Sequence, residues 1–160
     1  MTWQLRRAGA EDLDALMAIE HELFGTDAWS SESMAAEIAD RHGYYLVAFP
    51  VGRPEQIDGY AGLRAPLREP QADIQTIAVV PSARRNGLGR VLMLSLIEEA
   101  RQRGAREIFL EVRADNPGAQ SLYDSLGFEG IAVRPRYYQP DGVGAIFMRL
   151  SIPEPEVSLA

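Results

Sequence analysis

The sequence predicts a three-layer α/β domain with a mixed central sheet, and three observations carry that prediction. Short apolar runs and segments alternating every second residue interleave with segments of helical period, in the order β-α-α-β-β-β-α-β-α-β-β. Turn and cap residues fall at the joints between them. The chain has 160 residues, 46% hydrophobic and 24% charged, enough apolar surface for a core without disulfides or metal.

Thr2 to Arg6 alternates as a short strand, and Ala10 to Phe24 places Leu13, Leu16, Met17, Ile19 and Leu23 on one helical face. After the loop Gly25 to Ser30, Ser30 together with Ser33 caps a second helix reaching Ala39. Tyr44 to Phe49 and Asp58 to Arg64 read as strands joined by a Pro/Gly turn, and Asp73 to Val79 as a fourth strand. Gly87 to Arg103 is the strongest helix, closed by Gly104. Glu107 to Arg113 is a strand with one residue out of place, Glu111 between Leu110 and Val112, since glutamate is depleted in strands. Asn116-Pro117 starts a short helix, Asn as cap and Pro at the first helical position, and Gly127 ends it. Phe128 to Val133 and Ala145 to Leu150 complete the strands. Residues 1–152 read as a single domain and 153–160 as a flexible tail.

Composition narrows the chemistry. Without cysteine there is no thiol nucleophile, disulfide or Cys-type zinc site, and His21 and His42 stand apart, so no metal is expected. The net charge of −7 argues against a nucleic-acid binder. Residues 1–75 hold 13 Asp/Glu against 6 Arg, whereas residues 76–160 hold 10 of each. The acidity of the first half is therefore either a solvated surface or an attraction for a cationic substrate. All 16 basic residues are arginine. The amino terminus lacks the apolar core of a signal peptide and no segment reaches membrane-spanning length, so a cytoplasmic protein is expected.

The segment Val80 to Arg90 links the fourth strand to the best helix through two glycines and three arginines. Glycines let a backbone approach a ligand closely, and a helix amino terminus presents unpaired N–H groups and a positive dipole end, so this is a phosphate site in outline. It is not a Walker loop, because Arg90 follows Gly89 where Lys-Ser/Thr is needed. Nor is it a Rossmann fingerprint, because Leu92 occupies the third small position.

Arg84-x-x-Gly87-x-Gly89 resembles the pyrophosphate loop of the GCN5-related N-acetyltransferases, whose element order is also the one read here. Leu110 to Asn116, Ser121 to Phe128, Arg134-x-x-Tyr137-Tyr138 and Ala145-Ile146-Phe147-Met148 resemble one branch of that family, the RimI-type protein N-α-acetyltransferases. That branch acetylates the amino-terminal alanine of bacterial small-subunit ribosomal protein 18. The resemblance is nearly continuous from about residue 73 to 149 and looser before, mainly at Trp29-Ser30.

The resemblance implies acetyl-CoA as donor and a protein amino terminus as acceptor. By position, Glu111 would be the general base and Tyr123 the general acid. Ile77, Ala78 and Val79 would hold the pantetheine arm and thioester through their backbone. Arg84, Arg85, Asn86, Gly87, Leu88, Gly89 and Arg90 would wrap the diphosphate, and Asn116 would also touch the cofactor. Trp29, Tyr137 and Tyr138 would contact substrate.

Each residue also has a plainer reading. Glu111 could be a buried carboxylate paired with Arg113 or another arginine, Tyr123 could be a core aromatic, Asn116 a cap alone, Tyr137 and Tyr138 a shield for the sheet, and Trp29 a hydrophobic anchor. Gly144 stands where the branch usually has an acidic residue, and Pro117-Gly118 replaces a better helix-forming pair. Acetylation of a lysine or a small amine by the same machinery, and a non-catalytic CoA-binding domain, are the rival functions.

Overall fold

The computed structural model describes residues 2–154; of the expected tail, residues 155–160 lie outside the described residues. Seven strands form one sheet, β1 (Trp3–Arg7), β2 (Gly43–Pro50), β3 (Gly59–Arg64), β4 (Gln71–Val79), β5 (Glu107–Arg113), β6 (Glu129–Tyr138) and β7 (Val143–Ser151). Their order is β1-β2-β3-β4-β5-β7-β6, antiparallel throughout except between β4 and β5. A parallel pair needs a crossover, and α3 (Leu88–Gln102) supplies it. The other helices are α1 (Leu13–Phe24), α2 (Ser31–Ala39) and α4 (Pro117–Ser125).

Strand alternation sorts the side chains into two cores. Tyr45 and Val47 of β2 and Tyr60 of β3 pack with Leu16, Met17, Ile19 and Met34 of α1 and α2. Leu46, Ala48, Ala61 and Leu63 face the other way, onto Leu88, Leu92, Met93 and Leu96 of α3 and Tyr123 of α4. Helices thus cover both faces, the mixed three-layer arrangement expected, and β2 reads as an unbroken apolar run because both its faces are buried. Gly62 is fixed by packing: a Cβ there would lie 2.2 Å from the ring of Tyr45, its cross-strand partner.

Two boundaries differ from the sequence reading by more than two residues. The first helical turn, Ala10–Asp12, is 3-10, where the buried Asp12 carboxylate accepts two bonds from Arg6 at 2.7 and 2.8 Å and one from the Gly9 N–H at 2.9 Å. β6 continues past Val133 to Tyr138, because an edge strand tolerates Pro135 and absorbs the break as a register shift between Arg134 and Tyr138.

The sheet departs from regularity where it matters most. β4 carries a bulge at Gln75, since Thr76 pairs with Gly62 but Ile74 with Leu63. Its pairing with β5 covers only Gln71, Ala72 and Asp73. From Ile74 onward the two strands diverge.

Candidate functional site

That divergence opens a cleft through the sheet. One wall is the β4 edge from Ile74 to Val79, which pairs with β3 on its far side and, among the described residues, has no strand on its near side. The other is Leu110 to Arg113 of β5, paired to β7. Along Ile77–Val79 alternate residues therefore turn their backbone polar groups toward the gap, the others bonding to β3.

The chain leaves β4 through a 3-10 turn (Pro81–Ala83) into the amino terminus of α3. Two residues take left-handed conformations, Arg85 at φ +66° and Gly87 at φ +84°. Left-handed turns of this kind fold successive N–H groups into an anion-binding hollow, and the N–H groups of Leu88, Gly89 and Arg90 open the helix beside it. A Cβ on Gly87 would meet nothing within 4 Å, so the hollow is open at that point. Arg84 Nε donates to the Val79 carbonyl at 3.1 Å and Asn86 Nδ2 to the Arg84 carbonyl at 3.0 Å, which braces the loop from within. Arg84, Arg85, Asn86 and Arg90 are exposed.

α4 is bolted to this loop. Arg90 donates to Ser125 Oγ at 3.0 Å, and a Cβ on Gly89 would touch Leu122 at 3.4 Å. Asn116 Oδ1 caps α4 by accepting the Ala119 N–H at 3.1 Å, and Gln120 Nε2 donates to the carbonyls of Arg113 and Ala114. The Pro117-Gly118 pair, unfavourable by propensity, is thus held by its flanks. Tyr123 is 6% exposed and packs edge-on against Phe128 at 6.0 Å between ring centroids. Burial pushes its hydroxyl up to about 12, so it is fully protonated at neutral pH.

Glu111 stands on the opposite face. Leu110 and Val112 join the α3/α4 core with Tyr123, so period-2 alternation turns Glu111 and Arg113 toward the α1/α2 side. The Glu111 carboxylate is exposed, and it raises Tyr137, first by hydrogen bonding and then by charge. Tyr138 is raised by burial and then by the charge of Glu111. Tyr137 packs edge-on to Tyr138 at 5.1 Å and to Phe147, the cross-strand partner of Glu111, at 5.6 Å, so the three rings cluster beside the exposed carboxylate. Among the described residues Glu111 joins no ion pair; Arg113 pairs with Asp27, Asp115 and Asp141 instead.

Trp29 packs partly buried against the α1/α2 core, and its backbone N–H donates to Glu20 at 2.9 Å. Glu20, 2% exposed, also accepts from the Tyr60 hydroxyl. Glu20, Tyr60 and Asp27 are not candidates on sequence alone, and Arg113 is one only as a pairing partner for Glu111. Only Arg113 carried a local signal, as the residue two positions from Glu111 on the same strand face. Among the described residues no cluster of three or more His, Asp or Glu is arranged to hold a metal ion, and no helix is long and apolar enough to cross a membrane.

The acetyltransferase (GNAT) family matches residues 13–128. The N-alpha-acetyltransferase RimI of Mycobacterium tuberculosis is 35% identical over 147 residues, 90% of this chain and 89% of the relative. An uncharacterised protein of Mycobacterium leprae is 37% identical over 141 residues, but the chain spans 38% of that relative's length. The crystal structure of the ribosomal-protein-S18-alanine N-acetyltransferase from Escherichia coli superposes with a TM-score of 0.85 at 32% identity, covering 99% of both chains.

Proposed function

The chain belongs to the GNAT acetyltransferase family and is an acetyl-CoA-dependent N-acetyltransferase, and we propose that its acceptor is a protein α-amine, the amino-terminal alanine of ribosomal protein bS18. The observation that carries this reading is the gap between β4 and β5, which joins the anion hollow and Tyr123 on one face to Glu111 on the other. Donor and acceptor can approach a common point from opposite sides of the sheet. Residues 1–152 serve as one catalytic domain.

The donor site fits acetyl-CoA by its chemistry. A hollow of backbone N–H groups, open at Gly87 and ringed by Arg84, Arg85 and Arg90, suits a diphosphate, with Asn86, Leu88 and Gly89 completing the turn. The strand edge Ile77–Val79 suits an amide-bearing arm, which can pair with it as a short strand would, and Asn116, the cap of α4, would also touch the cofactor. Acetyl-CoA bound there supplies the activated acetyl group as a thioester.

The residues divide the proton work. An α-amino group has a pKa near ~8, against ~10.4 for lysine, so one carboxylate acting directly or through a water can finish its deprotonation. Glu111 is that base, and Tyr137, Tyr138 and Trp29 line the approach to it. Tyr123, protonated at working pH, gives its proton to the departing sulfur. Backbone N–H groups at Ile77–Val79 steady the developing oxyanion. The acidic first half contributes α1 and α2 to the acceptor face, which favours a cationic amine and the basic residues behind it.

Two matched peptides test the reading by mass spectrometry. One has a free amino-terminal alanine and no lysine; the other has a blocked amino terminus and an internal lysine. Both carry the basic sequence of bS18 after the first residue. Acetylation of the first alone is expected. Acetylation of the second would make this a lysine acetyltransferase, and acetylation of neither would point to another acceptor.

A further inference from the structure

Arg113, the last residue of β5, makes more side-chain contacts across the fold than its place in the sequence suggests. Its Nε donates to Asp115 Oδ1 at 3.0 Å and its NH2 to Asp115 Oδ2 at 3.2 Å and to Asp141 Oδ2 at 3.0 Å. Its NH1 donates to Asp27. The guanidinium also lies over the Tyr138 ring, 5.0 Å from the centroid. Asp27 ends the 3-10 turn Gly25–Asp27, two residues before Trp29, and Asp141 lies in the β6–β7 turn, three residues after Tyr138.

We propose that Arg113 is a positioning residue that sets the acceptor groove, tying the loop that carries Trp29 to the strand that carries Tyr137 and Tyr138. This rests on the reading above that those three residues line the approach to Glu111. The geometry needs a planar fork, because one group must serve three carboxylates from separate segments while stacking on an aromatic ring. Lysine, a point charge, cannot hold all three in those directions. Without the guanidinium, Asp27, Asp115 and Asp141 would lose the cation they share, and the two walls would part. The side chain is 23% exposed, so these contacts are partly shielded from solvent.

The test compares Arg113→Lys, Asp27→Asn, Asp141→Asn and the Asp27→Asn/Asp141→Asn double variant. Each is assayed for peptide KM and kcat, for acetyl-CoA affinity, for melting temperature, and for acrylamide quenching of Trp29 in a Trp3→Phe background. Arg113→Lys is expected to raise peptide KM by roughly tenfold or more with a smaller change in kcat, since misplacing a binding wall costs about that much. Acetyl-CoA affinity should hold, because its loop lies on the other face. Trp29 should become more quenchable. Asp27→Asn should act more strongly than Asp141→Asn, because Asp27 is 18% exposed and Asp141 49%. The double variant should approach Arg113→Lys. If Arg113→Lys lowers the melting temperature but leaves KM and Trp29 quenching as in the parent, the residue only stabilises the fold and the proposal fails. If the parent acetylates neither peptide, the acceptor reading fails instead, and the quenching experiment still decides whether Arg113 holds the Trp29 loop.

Discussion

Replacing Gly87 by alanine and by glutamate separates the folding role of this residue from its ligand role. Its φ of +84° is left-handed, which costs an L-residue about 1–2 kcal/mol whatever its side chain. For a chain of this size each kcal/mol lowers the melting temperature by about 2–4 °C, so both variants should lose roughly 2–8 °C. No clash adds to this, because a Cβ at this position meets nothing within 4 Å. Glutamate should even recover about 0.3–1 kcal/mol, as an anion at the amino terminus of α3. Gly87→Glu is therefore expected to be no less stable than Gly87→Ala.

Binding should reverse that order. The open space beside Gly87 is where a diphosphate would meet the first-turn N–H groups, and a carboxylate there would take those donors and repel the ligand. Losing two charge-assisted hydrogen bonds at about 1.5–3 kcal/mol each amounts to about 3–6 kcal/mol, or two to four decades in Kd. Calorimetric titration with acetyl-CoA, run beside thermal melts of both variants, reads the two effects separately. Equal affinity in Gly87→Ala and Gly87→Glu would refute the assignment of this loop to the diphosphate.

Three further outcomes are expected. Tyr123→Phe keeps the ring against Phe128, so acetyl-CoA affinity should stay within error while kcat falls about a hundredfold, the usual scale for a lost proton donor. At alkaline pH the protein should lose stability: burial lifts Tyr123 from about 10 up to about 12, so the native state keeps a proton that the unfolded chain releases. This contribution is whole below pH ~10 and falls by about 3 kcal/mol as pH rises toward ~12, with Tyr45 and Tyr60 raised by burial in the same sense. A melting temperature flat from pH ~9 to ~11.5 would contradict it. Gly62→Ala should cost about 1–3 kcal/mol in chemical denaturation, because its Cβ would enter the Tyr45 ring and disturb the bond from Tyr45 to Gln75.

What could be read from sequence follows from how locally each feature is encoded. The caps at Ser30 and Asn116 are choices made within four residues, and both hold their helices as expected. The end of β6 is not local. Arg134-Pro135-Arg136 breaks the alternation, and only the pairing of Tyr138 with Val143 carries the strand past it. The 3-10 turn at Ala10–Asp12 likewise sits beside a carboxylate held by an arginine in the preceding strand.

The same distinction divides the two halves of the site. The proposed donor half is nearly continuous in sequence: Ile77 to Arg90 passes from strand edge to hollow to helix, so residue types and spacing outline a phosphate site, and the family resemblance names its ligand. The proposed acceptor half is assembled from segments 86 and 28 residues from Arg113, and from the Glu20 bond to Trp29 that fixes the loop between α1 and α2. None of those partners announces itself, because an aspartate in an acidic chain looks like solvated surface until a fold brings an arginine to it. Glu111 shows the boundary between the two cases. Its misfit within a strand marked it from sequence, yet what the misfit serves became visible only when alternation turned it away from the core and toward Tyr137. A family that keeps its donor chemistry while changing its acceptors would be expected to encode them in this way, one contiguous and the other dispersed.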